Sequence, residues 1–184
     1  MSPRRASLTA LALIVLAVAA VAVHFVRQAR VDPEVPFFVR EAPAEWIVFP
    51  SEPSTYTRAR VELATSFTRT FELAAAPRSA TLQVKLHVDG DVVVNGAPVT
   101  LLPSDASNWK RERSADVTTL LHAGSNTVSA TARASFGPGA VWLVLECDGT
   151  TLVSDASWSA NCAGSSVRAA RLAATPMDEW ARPT

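Results

Sequence analysis

The hydrophobic positions of this chain follow two different rules. Across residues 8–26 they are continuous and no residue carries a formal charge. At about 1.5 Å rise per residue, a run of about 19 residues just spans a hydrocarbon core of roughly 30 Å. This predicts a single membrane-spanning helix. From Glu45 onward the period falls to two. Odd positions of residues 61–73 are mostly apolar, and every even position of residues 80–88 is apolar, which is the alternation of half-buried strands. Asn95-Gly96 stands between Val92-Val93-Val94 and Ala97-Pro98-Val99 and predicts a hairpin, because both central residues of that turn need positive φ. Further strands are expected over residues 126–134, 141–147, 151–154 and 167–174, with Asp148-Gly149 turning one pair. Trp46 and Trp158 fall in strand-like stretches where burial is the default. Residues 117–121 hint at one helical turn, ended by Gly124. The pattern predicts an all-β domain, an antiparallel jelly roll or β-sandwich, behind one N-terminal transmembrane α-helix.

Three segments follow: an anchor over residues 1–30, a spacer over 31–44 and the β domain over 45–184. Arg4 and Arg5 before the apolar run, with small-residue triplets such as Ala17-Val18-Ala19, also describe a secretory signal. Apolar character persists through Val23, Phe25 and Val26, past those cut sites, which favours an uncleaved anchor. No Cys follows the run as a lipid-attachment site would need. Arg4 and Arg5 face Arg27 and Arg30 across the span, so the positive-inside count leans only slightly to an inside N-terminus. Pro33, Pro36 and Pro43 make the spacer extended and semi-rigid. Phe37 and Phe38 interrupt it, either resting at headgroup level or stapling the spacer to the β domain.

Composition narrows the chemistry. About 155 residues beyond the anchor suffice for one domain with a real core. The formal net charge of +0, with both signs scattered, argues against a nucleic-acid partner. The two cysteines, Cys147 and Cys162, suit one disulfide in an oxidising compartment, with two buried thiols as the alternative. An Arg-heavy, Lys-poor basic set without a glycosylation sequon fits a bacterial inner membrane with the β domain in the periplasm. The only histidines are His24 in the apolar run, His87 on a polar-out register and His122 before Gly124, and the last two read as surface residues. No metal-ligand spacing or phosphate loop occurs, and Asp89-Gly90-Asp91 reads as a turn. No catalytic residue, metal or cofactor is expected, and the chain is not expected to be an enzyme.

Several segments carry a family pattern: Trp46-Ile-Val-Phe, Phe67-Thr-Arg-Thr-Phe-Glu-Leu, Asn95-Gly96, Trp109, Asp116-Val-Thr-Thr-Leu-Leu, Gly124-Ser-Asn-Thr-Val and Asp155-Ala-Ser-Trp158. Together they resemble the galactose-binding-like jelly-roll domain that accompanies bacterial α-L-rhamnosidases. The resemblance implies a sandwich of about eight strands and no catalysis, since the acid and base of such enzymes sit on a separate helical barrel. A sugar or a partner would be met by Trp109, Tyr56 or Trp142. Within the anchor, Ala6, Ala10, Ala17 and Ala20 form a small-residue stripe that lets another helix approach. Ala20-Val-Ala-Val-His24 resembles the A-x-x-x-H pattern of light-harvesting helices, which implies a tetrapyrrole contact at His24. Two readings follow. The first is an accessory, structural subunit packed against integral-membrane subunits of a bacterial complex, photosynthetic or respiratory. The alternative is a carbohydrate-binding module tethered to the lipid bilayer.

Overall fold

The structure, a computed structural model, describes residues 3–35, 38–50, 63–134 and 139–171. The chain divides into two compact units, Met1–Phe37 and Phe38–Thr184. The first holds helix α1 (Pro3–Val31), longer than the apolar run by about a turn at each end. Pro3 fits the first turn, where a missing N–H costs nothing. Asp32 precedes Pro33 and is biased away from helical backbone, so the helix stops there, with Asp32 N–H donating to Gln28 O at 2.8 Å. Ala10–Val31 is long and apolar enough to cross a membrane by length and composition.

The second unit is a sandwich of strands β1 (Ile47–Val48), β2 (Leu63–Leu73), β3 (Ala80–Leu86), β4 (Asp89–Val94), β5 (Ala97–Pro98), β6 (Arg113–Asp116), β7 (Gly124–Ala134), β8 (Ala140–Cys147), β9 (Thr150–Val153), β10 (Ser159–Cys162), β11 (Ser165–Arg168) and β12 (Ala170–Arg171). A short 3-10 turn spans Thr118–Leu120. One sheet has the order β12-β1-β8-β3-β6, with β9 also on β8; the other has β11-β10-β2-β7-β4-β5. These are called the first and second sheets below. Every strand pair among the described residues is antiparallel. The all-β sandwich expected from alternation is therefore present.

The alternation places β2, β3, β4, β7, β8 and β9 within a few residues but not β6 and β10, which are four residues long and hold no large aliphatic side chain. Asp89-Gly90-Asp91 is not a turn: it opens β4. Gly90 is required there by close approach, because a Cβ would lie 1.9 Å from Thr131 O. The Asn95-Gly96 and Asp148-Gly149 hairpins form as expected, with φ of 49° and 81° in the first and 44° and 86° in the second. Asn95 does more than turn. Its Nδ2 donates to Leu120 O and Asn126 Oδ1, and its Oδ1 accepts from Thr127 N–H. Buried Asn126 in turn donates to His122 O and Gly124 O, so one amide pair ties the hairpin to the 3-10 turn.

Inward residues of both sheets form the main core. Phe67 stands in register with Ala160 on one neighbouring strand and Ala130 on the other. A large ring between two small side chains lets the layers interdigitate without voids. On one edge of β8, β1 pairs residues 140–141 and β9 pairs residues 144–147. Ser154, fully buried, closes the seam between them: its Oγ accepts from Leu143 N–H at 2.9 Å and donates to Glu45 O at 2.7 Å. Cys147 ends β8 in the first sheet and Cys162 ends β10 in the second. Both are free, buried thiols in this structure, so the disulfide expected from the sequence is not made. Burial, with Asp148 beside it, pushes the Cys147 thiol upward in pKa.

Candidate functional site

The register sets the two ends of the sandwich apart. Hairpins 95–96 and 148–149 and the 3-10 turn lie at the end where β2 finishes. At the opposite end the chain crosses between sheets at residues 87–88 and leaves β5 on its way to β6. At that end, on the outer face of the first sheet, a second apolar cluster forms from Ala44, Trp46, Trp109, Ala140, Trp142 and Val144, with Phe38, Val48 and Val153 against it.

Residues 38–44 make this cluster possible by lying across the sheet. The Phe38 ring packs 4.9 Å from Trp46, 5.0 Å from His87 and 5.0 Å from Trp109, centroid to centroid. His87 meets the Trp109 edge at 4.8 Å. Such tilted and edge-to-face pairs add about 0.5–1.5 kcal/mol each beyond burial. Both indole N–H groups nearest the segment donate to its backbone, Trp46 to Val39 O at 3.2 Å and Trp142 to Glu41 O at 2.9 Å. Buried Lys85 pairs with Glu41 and lies 5.2 Å from the Trp142 ring. Lys110 sits 5.0 Å over Trp109. Cation and ring attract through the ring quadrupole, which compensates in part for taking these ammonium groups out of water. The segment is thus a strap held by one aromatic knob, two indole hydrogen bonds and an ion pair.

The strap decides where the sequence-derived site residues go. Trp109 and Trp142 are brought together, as one aromatic group, but both are buried, at 7% and 4% exposure. Tyr56 lies outside the described residues. His87 was expected on the surface. Instead it is half-buried among rings, its Nδ1 without a partner among the described residues, and burial holds its pKa below the ordinary 6.5. Phe38, Glu41 and Lys85 were not picked out as a group. The available signal was β8: Ala140–Cys147 is buried at every position but Glu146, and a strand without alternation is covered on both faces. His122 stays exposed in its turn. Asp116 accepts from the side chain and backbone of Thr118, and these bonds hold its pKa down. Among the described residues no group of three His, Cys, Asp or Glu could hold a metal ion. In the first unit Ala10, Ala17, Ala20 and His24 are exposed along α1, and His24 meets only the edge of Phe25, at 6.1 Å, among ring contacts. Nothing is described of the Ala6 side chain.

The described residues form an antiparallel β-sandwich with an aromatic layer on the outer face of its first sheet. Among solved structures, the chain is similar to the α-L-rhamnosidase of Streptomyces avermitilis complexed with L-rhamnose, with 30% identity and a TM-score of 0.53. The match covers 66% of this chain and 13% of that one. It is similar in fold to the α-L-rhamnosidase of Aspergillus terreus (22% identity, TM-score 0.51, covering 65% and 17%). The GH78 family rhamnosidase of Bacillus sp. GL1 shares the fold as well (23%, 0.50, covering 67% and 14%). The chain spans less than a fifth of the length of each of these enzymes, and the part it matches is their accessory β-sandwich. No protein-family profile and no curated protein sequence matches it.

Proposed function

We propose that this protein is a non-catalytic carbohydrate-binding module, tethered by α1 to a bacterial inner membrane with its sandwich in the periplasm. The observation that carries the reading is the 30% identity with part of a rhamnosidase whose structure contains L-rhamnose. The match to 13% of the rhamnosidase chain and the ring contacts of His87 support binding rather than turnover. The test is calorimetric titration of the full-length protein in nanodiscs with L-rhamnose, galactose and neutral oligosaccharides, with an aryl rhamnoside as a hydrolysis control. Saturable binding without hydrolysis supports the reading, and absence of binding across the set sinks it.

A second reading has its own observation. The large apolar side chains of α1 described in the structure are exposed, and a helix of this kind needs an apolar cover. Lipid alone would supply it, and so would helices of an integral-membrane host seated on Ala6, Ala10, Ala17 and Ala20. Gentle solubilisation followed by affinity isolation separates the two. A stoichiometric set of membrane subunits supports the accessory-subunit role, and a tetrapyrrole absorption band in that preparation supports the His24 contact.

A further inference from the structure

The outer face of the second sheet differs from the face under the strap, and no feature of the aromatic group accounts for it. Along β2 the outward residues are Ser66, Thr68 and Thr70, and the paired outward residues of β7 are Thr131, Ser129 and Thr127. The row continues onto β10 with Ser159 and Asn161 and onto β11 with Ser166, all in register on the same face. These nine contiguous positions carry no charge, no aromatic ring and no long aliphatic chain. Charge is confined to the margins, in the Arg133–Asp91 pair at 2.5 Å, Arg168 and Glu72.

The hydroxyls are ordered by one another. Ser129 Oγ lies 3.0 Å from Thr68 Oγ1 and 3.2 Å from Ser66 Oγ, and Thr70 Oγ1 lies 3.4 Å from Thr127 Oγ1. Each hydroxyl has one donor and two acceptor sites, so this ladder leaves capacity for a ligand. Short side chains already fixed by neighbours lose little rotamer freedom on binding. Strand spacing of about 4.8 Å and same-face spacing of about 6.8 Å along a strand set the groups out as a regular grid.

Chemistry selects the occupant. A protein interface of this size would bury aromatic and apolar residues at its centre, a nucleic acid would need a basic stripe, and a lipid surface would need exposed apolar side chains. An uncharged grid of donors and acceptors, bordered on β4 by Asp91 beside Thr131 and Val93 beside Ser129, complements a neutral polyhydroxyl chain. We infer that the outer face of β11, β10, β2 and β7 is a binding surface for a neutral polysaccharide, with Thr68 and Ser129 at its centre. This inference rests on the carbohydrate-binding reading and locates its site away from the indoles.

The test uses full-length protein in nanodiscs, immobilised, with dextran, galactan and arabinoxylan as probes in interferometry. Thr68→Arg and Ser129→Arg place a long charge in the grid at half-buried outward positions, and Thr151→Arg places one at an exposed position on the first sheet. Thermal melts confirm that all three fold. The expected result is a loss of at least about tenfold in affinity for Thr68→Arg and Ser129→Arg, the loss a central contact carries. Thr151→Arg and the conservative Thr68→Ser should bind as wild type. Polysaccharide binding that all three arginine variants retain overturns this surface while leaving a carbohydrate-binding module in place. Wild-type protein that binds none of the probes, nor any monosaccharide, overturns the carbohydrate reading itself and this surface with it.

Discussion

The two outward faces of the sandwich are made by strands of the same kind and meet different surroundings. On the first sheet, Lys85, His87 and Trp142 point into a layer formed by residues 38–44, and two ammonium groups are buried against indoles. On the second sheet, Ser66, Thr68, Thr127 and Ser129 are half-buried. Both sheets bury one face in the common core, so amphipathic strands alone do not account for the contrast. The difference lies in β8, which is apolar on both faces. An uncovered Trp142 and Val144 would expose apolar area at roughly 25 cal/mol per Å², and the strap removes that cost. β7, with Thr127, Ser129 and Thr131 outward, needs no cover.

Mutations on the two faces should therefore separate widely. Trp142→Ala removes the ring on which Lys85 rests and the donor to Glu41 O. A loss of about 3–5 kcal/mol in denaturant unfolding is expected, as for other buried indoles. A loss under about 1 kcal/mol would mean that the strap contributes little to the fold. Ser154→Ala, at the seam where the strap enters β1, leaves Leu143 N–H and Glu45 O without their shared hydroxyl. About 1–3 kcal/mol is expected, read in the same experiment.

The pH dependence should also belong to the covered face. Above about pH 6.5 the His87 ring is neutral whether the chain is folded or not. As pH falls through that value, the unfolded chain takes up a proton first, because burial holds the folded-state pKa lower. Stability should decline from there until the buried ring itself protonates, and then level off. The groups facing His87 are the rings of Phe38 and Trp109, with the Lys110 ammonium over Trp109. Melting temperatures of wild type and His87→Phe at pH 8 and pH 5 check this, and the substitution should flatten the difference. The smallest effect belongs to the open face. Thr70→Ala, whose hydroxyl touches only Thr127, should change stability by no more than about 0.5 kcal/mol.

Much of this fold is legible in the sequence because its determinants are local. The continuous apolar run gives α1, the period-two segments give β2, β3 and β7, and Asn95-Gly96 and Asp148-Gly149 give their hairpins through backbone sterics of two residues. Burial of Trp46 and Trp158 follows from their place in apolar strands. The candidate site was legible only in fragments. Trp109 and Trp142 were visible as residues, but their proximity depends on β8 lying beside β3 and on residue 109 returning over that pair. His87 read as outward and was outward; what lies outside it is Phe38, forty-nine positions earlier in the chain.

What the sequence by itself determined is therefore the class: an apolar helix followed by an antiparallel β-sandwich. Only the tertiary structure decided which outer face carries a covering layer among the described residues and which does not. Alternation along a strand reports that one side is apolar and one polar. It carries no information about a third layer, because the contacts that bind residues 38–44 to the first sheet join segments far apart in the chain.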